Sequence, residues 1–177
     1  MRDEPFDPAR HDYGHFTCDR ESLTDYLRKY AEQDQKRGVT KVYVLVTEQN
    51  PVHVVGYYTL AAAELHVEHL PQDVAKRPPK YPVPCYRLGR LAVSETKGGQ
   101  GIGSQLLGSA MKRCLEARKL VASYALVVDA LDSRAQEFYV KHGFQPLDHR
   151  TLTLWMTLPR RQQRVWTSAR SSRLTLT

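Results

Sequence analysis

The 177-residue sequence contains no apolar run able to cross a membrane. Its longest such runs, Val42–Val46 and Leu60–Ala63, fall far short of the roughly 20 residues a spanning helix needs. The first residues, Met1-Arg2-Asp3-Glu4-Pro5, hold no apolar stretch for a secretory leader, so a cytoplasmic protein is expected. Cysteine is scarce. Cys18, Cys85 and Cys114 are widely separated and odd in number, which excludes a disulfide framework, and no CxxC pair or Cys/His spacing suggests zinc. Cys114 falls on the apolar face of a predicted helix and reads as a reduced core thiol. The seven histidines show no metal-ligand spacing, and His66 and His69 lack partners of the HExxH kind, so no metal is expected. Glycine and serine are missing from His69–Pro84, whose five prolines argue against a regular helix or central strand and make it a structured loop. Acidic residues are missing after Pro159, where Arg160, Arg161, Arg164, Arg170 and Arg173 mark residues 160–177 as a basic tail, mobile first and an interaction element second.

What is present suits one α/β domain over residues 1–159. Hydrophobic residues at 41% suffice for a sizeable core, and 25% charged residues are ordinary for a globular protein. The net charge of +7 favours a polyanionic partner without proving one. Leu23, Tyr26, Leu27, Tyr30 and Ala31 recur at helical spacing and predict a helix over Leu23–Lys36, stopped by Gly38. Strands are predicted over Lys41–Thr47, Val52–Ala62, Cys85–Val93, Tyr124–Val128 and Leu152–Leu158. A helix opening near Gly103 carries the stripe Ile102, Leu106, Leu107, Ala110, Met111, Cys114 and Leu115 and runs to about Lys119. Another covers Ser133–His142, with Asp132 as N-cap and Gly143 as its stop.

The most informative segment is Gly98-Gly99-Gln100-Gly101-Ile102-Gly103, between a strand and a helix. Such glycines let backbone N–H groups turn toward an anion that the helix N-terminus also attracts. A Walker A loop would need Lys-Ser/Thr after the last glycine, where Ser104-Gln105 stands. A dinucleotide fingerprint would need a third glycine where Ser104 or Leu106 stands. Taken alone, the glycines are equally compatible with a plain turn.

Read with Arg90-Leu91-Ala92-Val93 before it and Phe138-Tyr139-Val140-Lys141-His142-Gly143-Phe144 after it, the turn resembles the GNAT superfamily of N-acetyltransferases. Phe16-Thr17-Cys18, Val55-Gly56-Tyr57-Tyr58-Thr59-Leu60 and Tyr81-Pro82-Val83-Pro84 narrow the resemblance to the GNAT toxins of toxin–antitoxin modules, over positions 6 to 158. The resemblance implies a central twisted mixed β-sheet flanked by helices. It also implies acetyl-CoA as donor, the amino group of aminoacyl-tRNA as acceptor, a ribbon-helix-helix antitoxin as partner, and a homodimer. In it, Leu91, Ala92 and Val93 line the cofactor's pantetheine arm, and a backbone N–H near Val93 stabilises the oxyanion. The turn residues Lys97, Gly98, Gly99, Gln100, Gly101, Ile102, Gly103 and Ser104, with Asp132 and Phe138, complete the cofactor site. The superfamily usually has Gln or Arg where Gly98 stands, and Lys97 is the nearest side chain to replace it. Tyr139 is the expected general acid for the departing thiolate, because a phenol keeps its proton at neutral pH. Arg77, Lys80 and Arg90 are the expected contacts to tRNA phosphates, while Arg28, Lys29, Lys36 and Arg37 read equally well as a solvated helix face. Two other readings stay open: a GNAT enzyme acting on a protein or small-molecule amine, and a silent acyl-CoA- or nucleic-acid-binding module.

Overall fold

A computed structural model describes residues 1–66, 82–147 and 150–159. The proline-rich segment 67–81 and the tail 160–177 lie outside the described residues. Seven strands form one sheet: β1 (Arg2–Pro5), β2 (Lys41–Val46), β3 (Val54–Leu65), β4 (Val83–Val93), β5 (Ala125–Asp129), β6 (Gln145–Leu147) and β7 (Arg150–Thr157). Their order is β1-β2-β3-β4-β5-β7-β6, and only β4 and β5 run parallel. The connection between them carries α3 (Ile102–Ala117), as a parallel pair requires. α4 (Ser133–Lys141) follows β5.

Side-chain alternation on β5 shows how the layers form. Leu126 and Val128 join the apolar stripe of α3, Ile102, Leu106, Leu107, Ala110 and Cys114, in one core. Ala125 and Val127 face the other way and pack with Cys85 and Trp155. Beyond β4 the second face is covered by α1 (Glu21–Asp25), α2 (Ala31–Lys36) and the turn between them, where Leu27 of that turn and Ala31 of α2 bury against Val42, Val44 and Tyr57. The Cys114 thiol is 1% exposed, and burial pushes its pKa up to about 12, so it is the inert core thiol expected from its place on the stripe.

Besides β6, which no strand pattern announces, three features depart from the sequence expectations. The first helix is interrupted by a π-helical turn, Tyr26–Tyr30. The wider turn breaks the 3.6-residue phase, so Tyr30 is 53% exposed although its spacing places it with Tyr26 and Leu27. β4 begins at Val83 and includes Pro84, placed by its sequence in a loop; the proline supplies only its carbonyl, which accepts from Tyr124 N–H at 2.8 Å. β1, an edge strand of three charged residues and a proline, is held from a distance. Arg113 of α3 donates to the Asp3 carboxylate (2.7 Å) and to the Tyr58 hydroxyl (2.8 Å), and its guanidinium lies 3.9 Å above the Tyr43 ring.

Next to β1, the buried His11 ring accepts from Asp7 N–H through Nδ1 (2.9 Å), so Nε2 carries the proton toward Glu4 (2.8 Å); Arg10 also pairs with Glu4. Burial, and then the Arg10 charge, lower the ring's pKa below its ordinary 6.5. The unfolded chain therefore takes up this proton first, and the contribution of neutral His11 is complete above that pH and lost as pH falls below it. His11→Gln is expected to flatten the fall in melting temperature as pH drops below about 6.5. An unchanged slope would show that other groups govern it.

Candidate active site

β4 and β5 pair only over Cys85–Leu88 and Ala125–Val128, after which β4 continues to Val93 bonded to β3 alone. A bulge starts the separation: Leu88 faces Leu60 and Arg90 faces Thr59, leaving Gly89 unpaired between them. Ser94 N–H donates to Val55 O at 2.9 Å, which fixes the antiparallel alternation. By that alternation, Leu91 and Val93 turn their N–H and C=O groups away from β3 and into the gap left by β5. Their side chains pack toward α3, and Ala92 packs toward α1. The three β4 residues expected along a cofactor arm therefore lie on one free strand edge.

A 3₁₀ turn, Glu95–Lys97, leads from β4 to the glycines. Gly99 and Gly101 have φ of 75° and 74°, a left-handed backbone that L side chains rarely adopt, and Gly101 is the residue before α3. The first hydrogen bond in α3 runs from Gln105 N–H to Gly101 O, so the amides of Ile102, Gly103 and Ser104 have no intrahelical acceptor. Together with the helix dipole they form an anion cradle. A Cβ on Gly103 would lie 3.5 Å from the Phe138 ring and 3.9 Å from a Val93 methyl, so the turn, α4 and β4 converge at this glycine. Ile102 itself points into the core, while Gly98 and Gln100 are exposed. Lys97 is half-buried and forms no ion pair among the described residues.

Tyr139 sits on α4 with its ring against Phe138 (5.2 Å between centroids) and Phe144 (5.5 Å). The residue is 6% exposed, and burial drives its pKa above the ordinary phenol value, so it stays protonated at neutral pH. Its hydroxyl makes no hydrogen bond among the described residues. Asp132 is the N-cap of α4, as its place before Ser133 predicts. One carboxylate oxygen caps α4 through Ala135 N–H (2.8 Å) and the other pairs with Arg20, leaving its part in a cofactor site to the turn it shapes.

Arg77 and Lys80 lie outside the described residues. Arg90, two residues before Ala92, stacks its guanidinium 3.6 Å from the centre of the Tyr26 ring in the π-helical turn. No carboxylate pairs with Arg90 among the described residues, so its charge is held in place but not neutralised. Arg87, by contrast, pairs with Asp129 across β4 and β5, and Lys29 and Lys36 pair with Asp25 and Glu32 one turn away, as on a solvated helix face. Sequence reasoning did not single out Tyr26 as the seat of Arg90 or His142 as a neighbour of the turn. Each contact joins segments far apart in the chain.

Residues 38–146 match the acetyltransferase (GNAT) domain family. A curated relative, the tRNA-acetylating toxin of Mycobacterium tuberculosis, is 36% identical over 143 residues, covering 80% of this chain and 84% of the relative. Among solved structures, a Tyr-to-Phe variant of KacT has a TM-score of 0.83 at 29% identity, covering 89% of this chain and 94% of its own. AtaT complexed with acetyl-methionyl-tRNAfMet has a TM-score of 0.81 at 30% identity, covering 88% and 94%. With a parted β4–β5 edge, a left-handed glycine turn at the head of α3 and this match to more than half its length, the chain belongs to the GNAT acetyltransferase family.

Proposed function

We propose that the chain is an acetyl-CoA-dependent toxin that acetylates the α-amino group of aminoacyl-tRNA. The observation that carries the reading is Arg90, which has no carboxylate partner among the described residues and is held on Tyr26 beside the free β4 edge, where a cation meets an acceptor rich in phosphate. The relative named a tRNA-acetylating toxin and the neighbour complexed with acetyl-methionyl-tRNAfMet support the same acceptor.

The residues fit acetyl-CoA. The amides of Ile102, Gly103 and Ser104 suit a pyrophosphate without a side chain at Gly98, and the Leu91–Val93 edge offers peptide groups to a pantetheine arm. AtaT–AtaR bound with AcCoA is a further structural neighbour. The bound cofactor supplies an acetyl thioester activated toward amine attack. Val93 N–H, facing the gap, donates to the developing oxyanion. Tyr139 holds a proton at its hydroxyl and delivers it to the leaving sulfur. No general base is assigned: a free α-amine titrates near 8 and an adjacent ester lowers it further. Asp132 and Phe138 shape the turn's surroundings, and Arg77 and Lys80 join Arg90 in holding phosphates.

AtaT bound to the C-terminus of its antitoxin AtaR is also a structural neighbour. By the same reading this chain works in the cytoplasm as a homodimer, is neutralised by a ribbon-helix-helix antitoxin, and carries residues 160–177 as a basic extension of a 1–159 domain. No helix among the described residues is long and apolar enough to cross a membrane.

The test is transfer of labelled acetyl from acetyl-CoA to charged tRNA, beside a lysine peptide and a polyamine. Transfer to the tRNA is expected. Arg90→Gln is expected to weaken tRNA binding and to shrink the log–log salt slope by up to about 1. Efficient transfer to the peptide or polyamine with none to tRNA would replace this reading by that of an enzyme for protein or small amines.

A further inference from the structure

His142 closes α4, with φ −96° and ψ 14°, and Gly143 turns the chain away behind it. Its Nδ1 lies 2.7 Å from the carbonyl oxygen of Phe138, and its Nε2 lies 2.9 Å from the hydroxyl of Ser104. A carbonyl only accepts, so Nδ1 carries the hydrogen. In the neutral ring Nε2 then accepts, and Ser104 donates its hydroxyl proton to His142. The Phe138 ring meets His142 on one side, at 4.4 Å between centroids, and Gly103 on another. Gly103 and Ser104, two of the three residues whose amides lack an intrahelical acceptor, are thus gripped by the end of α4.

We propose that His142 is a positioning residue for the phosphate-binding turn: through Ser104 and Phe138 it fixes the first turn of α3 so that a pyrophosphate is held by backbone amides and not by the Ser104 hydroxyl. The proposal rests on the acetyl-CoA reading above. It accounts for a turn that dispenses with a side chain at Gly98, because a donor set made of peptide groups works only when their directions are fixed in advance. It also gives the two parts of Ser104 separate roles: the amide stays in the cradle, and the hydroxyl links the turn to α4.

The experiment measures calorimetric Kd for CoA, and steady-state kinetics with acetyl-CoA and with S-acetylpantetheine, which lacks the pyrophosphate. His142→Ala and Ser104→Ala are each expected to raise the CoA Kd and the KM for acetyl-CoA about five- to tenfold, the effect of one hydrogen bond. For His142→Ala the expected kcat at saturation is unchanged, as is kcat/KM for S-acetylpantetheine. The double variant should be no weaker than either single one, since both remove the same link. His142→Gln, which keeps an acceptor, should recover most of the affinity. Parental CoA affinity in His142→Ala, equal losses with S-acetylpantetheine, or additive losses in the double variant would each overturn the proposal. Ser104 is exposed, so Ser104→Ala gives an answer even where His142→Ala folds poorly. A parent protein that binds no CoA at millimolar concentration would overturn the acetyl-CoA reading itself, which separates the two failures.

Discussion

Tyr139→Phe is expected to lower the turnover number by about 10²–10⁴-fold, the usual contribution of general acid catalysis, while the melting temperature holds or rises slightly. The structure sharpens the second half of that expectation. A buried tyrosine whose hydroxyl is bonded to a neighbour would leave that neighbour unpaired when truncated, at a cost of about 1–3 kcal/mol. The Tyr139 hydroxyl has no such partner among the described residues, and the ring contacts to Phe138 and Phe144 survive the change. Removing one unpaired polar atom therefore costs the fold nothing. Burial raises the phenol's pKa, which keeps the proton available across the neutral range and excludes phenolate as a base there. CoA affinity should change little, because the cofactor contacts proposed above come from peptide groups of β4 and α3, not from this hydroxyl. A variant as stable as its parent that also keeps the full rate would show that the proton comes from elsewhere.

Gly101→Val is expected to remove the stabilisation that acetyl-CoA gives the parent. A Cβ at this position would meet no atom within 4 Å, so the substitution tests the backbone and not the packing. At φ of 74° a β-branched residue is strained by about 1–3 kcal/mol. The chain can relieve the strain only by turning Gly101 out of the conformation that aims the α3 amides. Where binding restores that conformation, affinity falls by up to about a hundredfold. Gly101→Asn is the control, since asparagine enters the left-handed region readily. At an acetyl-CoA concentration close to the parent's Kd, the rise in melting temperature should vanish for valine and persist for asparagine. Equal shifts in the two variants would show that the turn does not need its present shape.

The parts of this fold legible in the sequence are those whose information is local. α3 and α4 announce themselves by an apolar stripe, an N-cap and a terminal glycine, and the buried strands by short β-branched runs. β1 is illegible, because Arg2-Asp3-Glu4-Pro5 has no strand pattern; it pairs with β2 and is tied down by Arg113 of α3. The π-helical turn is hidden for a related reason. The spacing of Leu23, Tyr26, Leu27 and Tyr30 suits a regular helix, and the wider turn instead carries Tyr26 beneath Arg90. The glycine turn was visible as an anion site of some kind, but nothing local distinguished its ligand. Tyr139 was singled out by family likeness alone, since periodicity makes it one more core aromatic. Asp132 was read correctly as a cap, and its engagement by Arg20 depended on a residue far up the chain.

A site assembled mainly from peptide groups has a consequence for how such a protein varies under selection. The Leu91–Val93 edge and the amides of Ile102–Ser104 present the same atoms whatever side chains are attached, provided the fold persists. Most substitutions there change packing and leave those peptide groups in place. A cell escaping the activity by point mutation therefore has few small targets: the Tyr139 hydroxyl, the left-handed glycines, and the charge at Arg90. Escape mutants collected after expressing this chain should accordingly fall into two groups. One is a short set at those positions that still yields folded protein, and the other is a broad set across the core that does not.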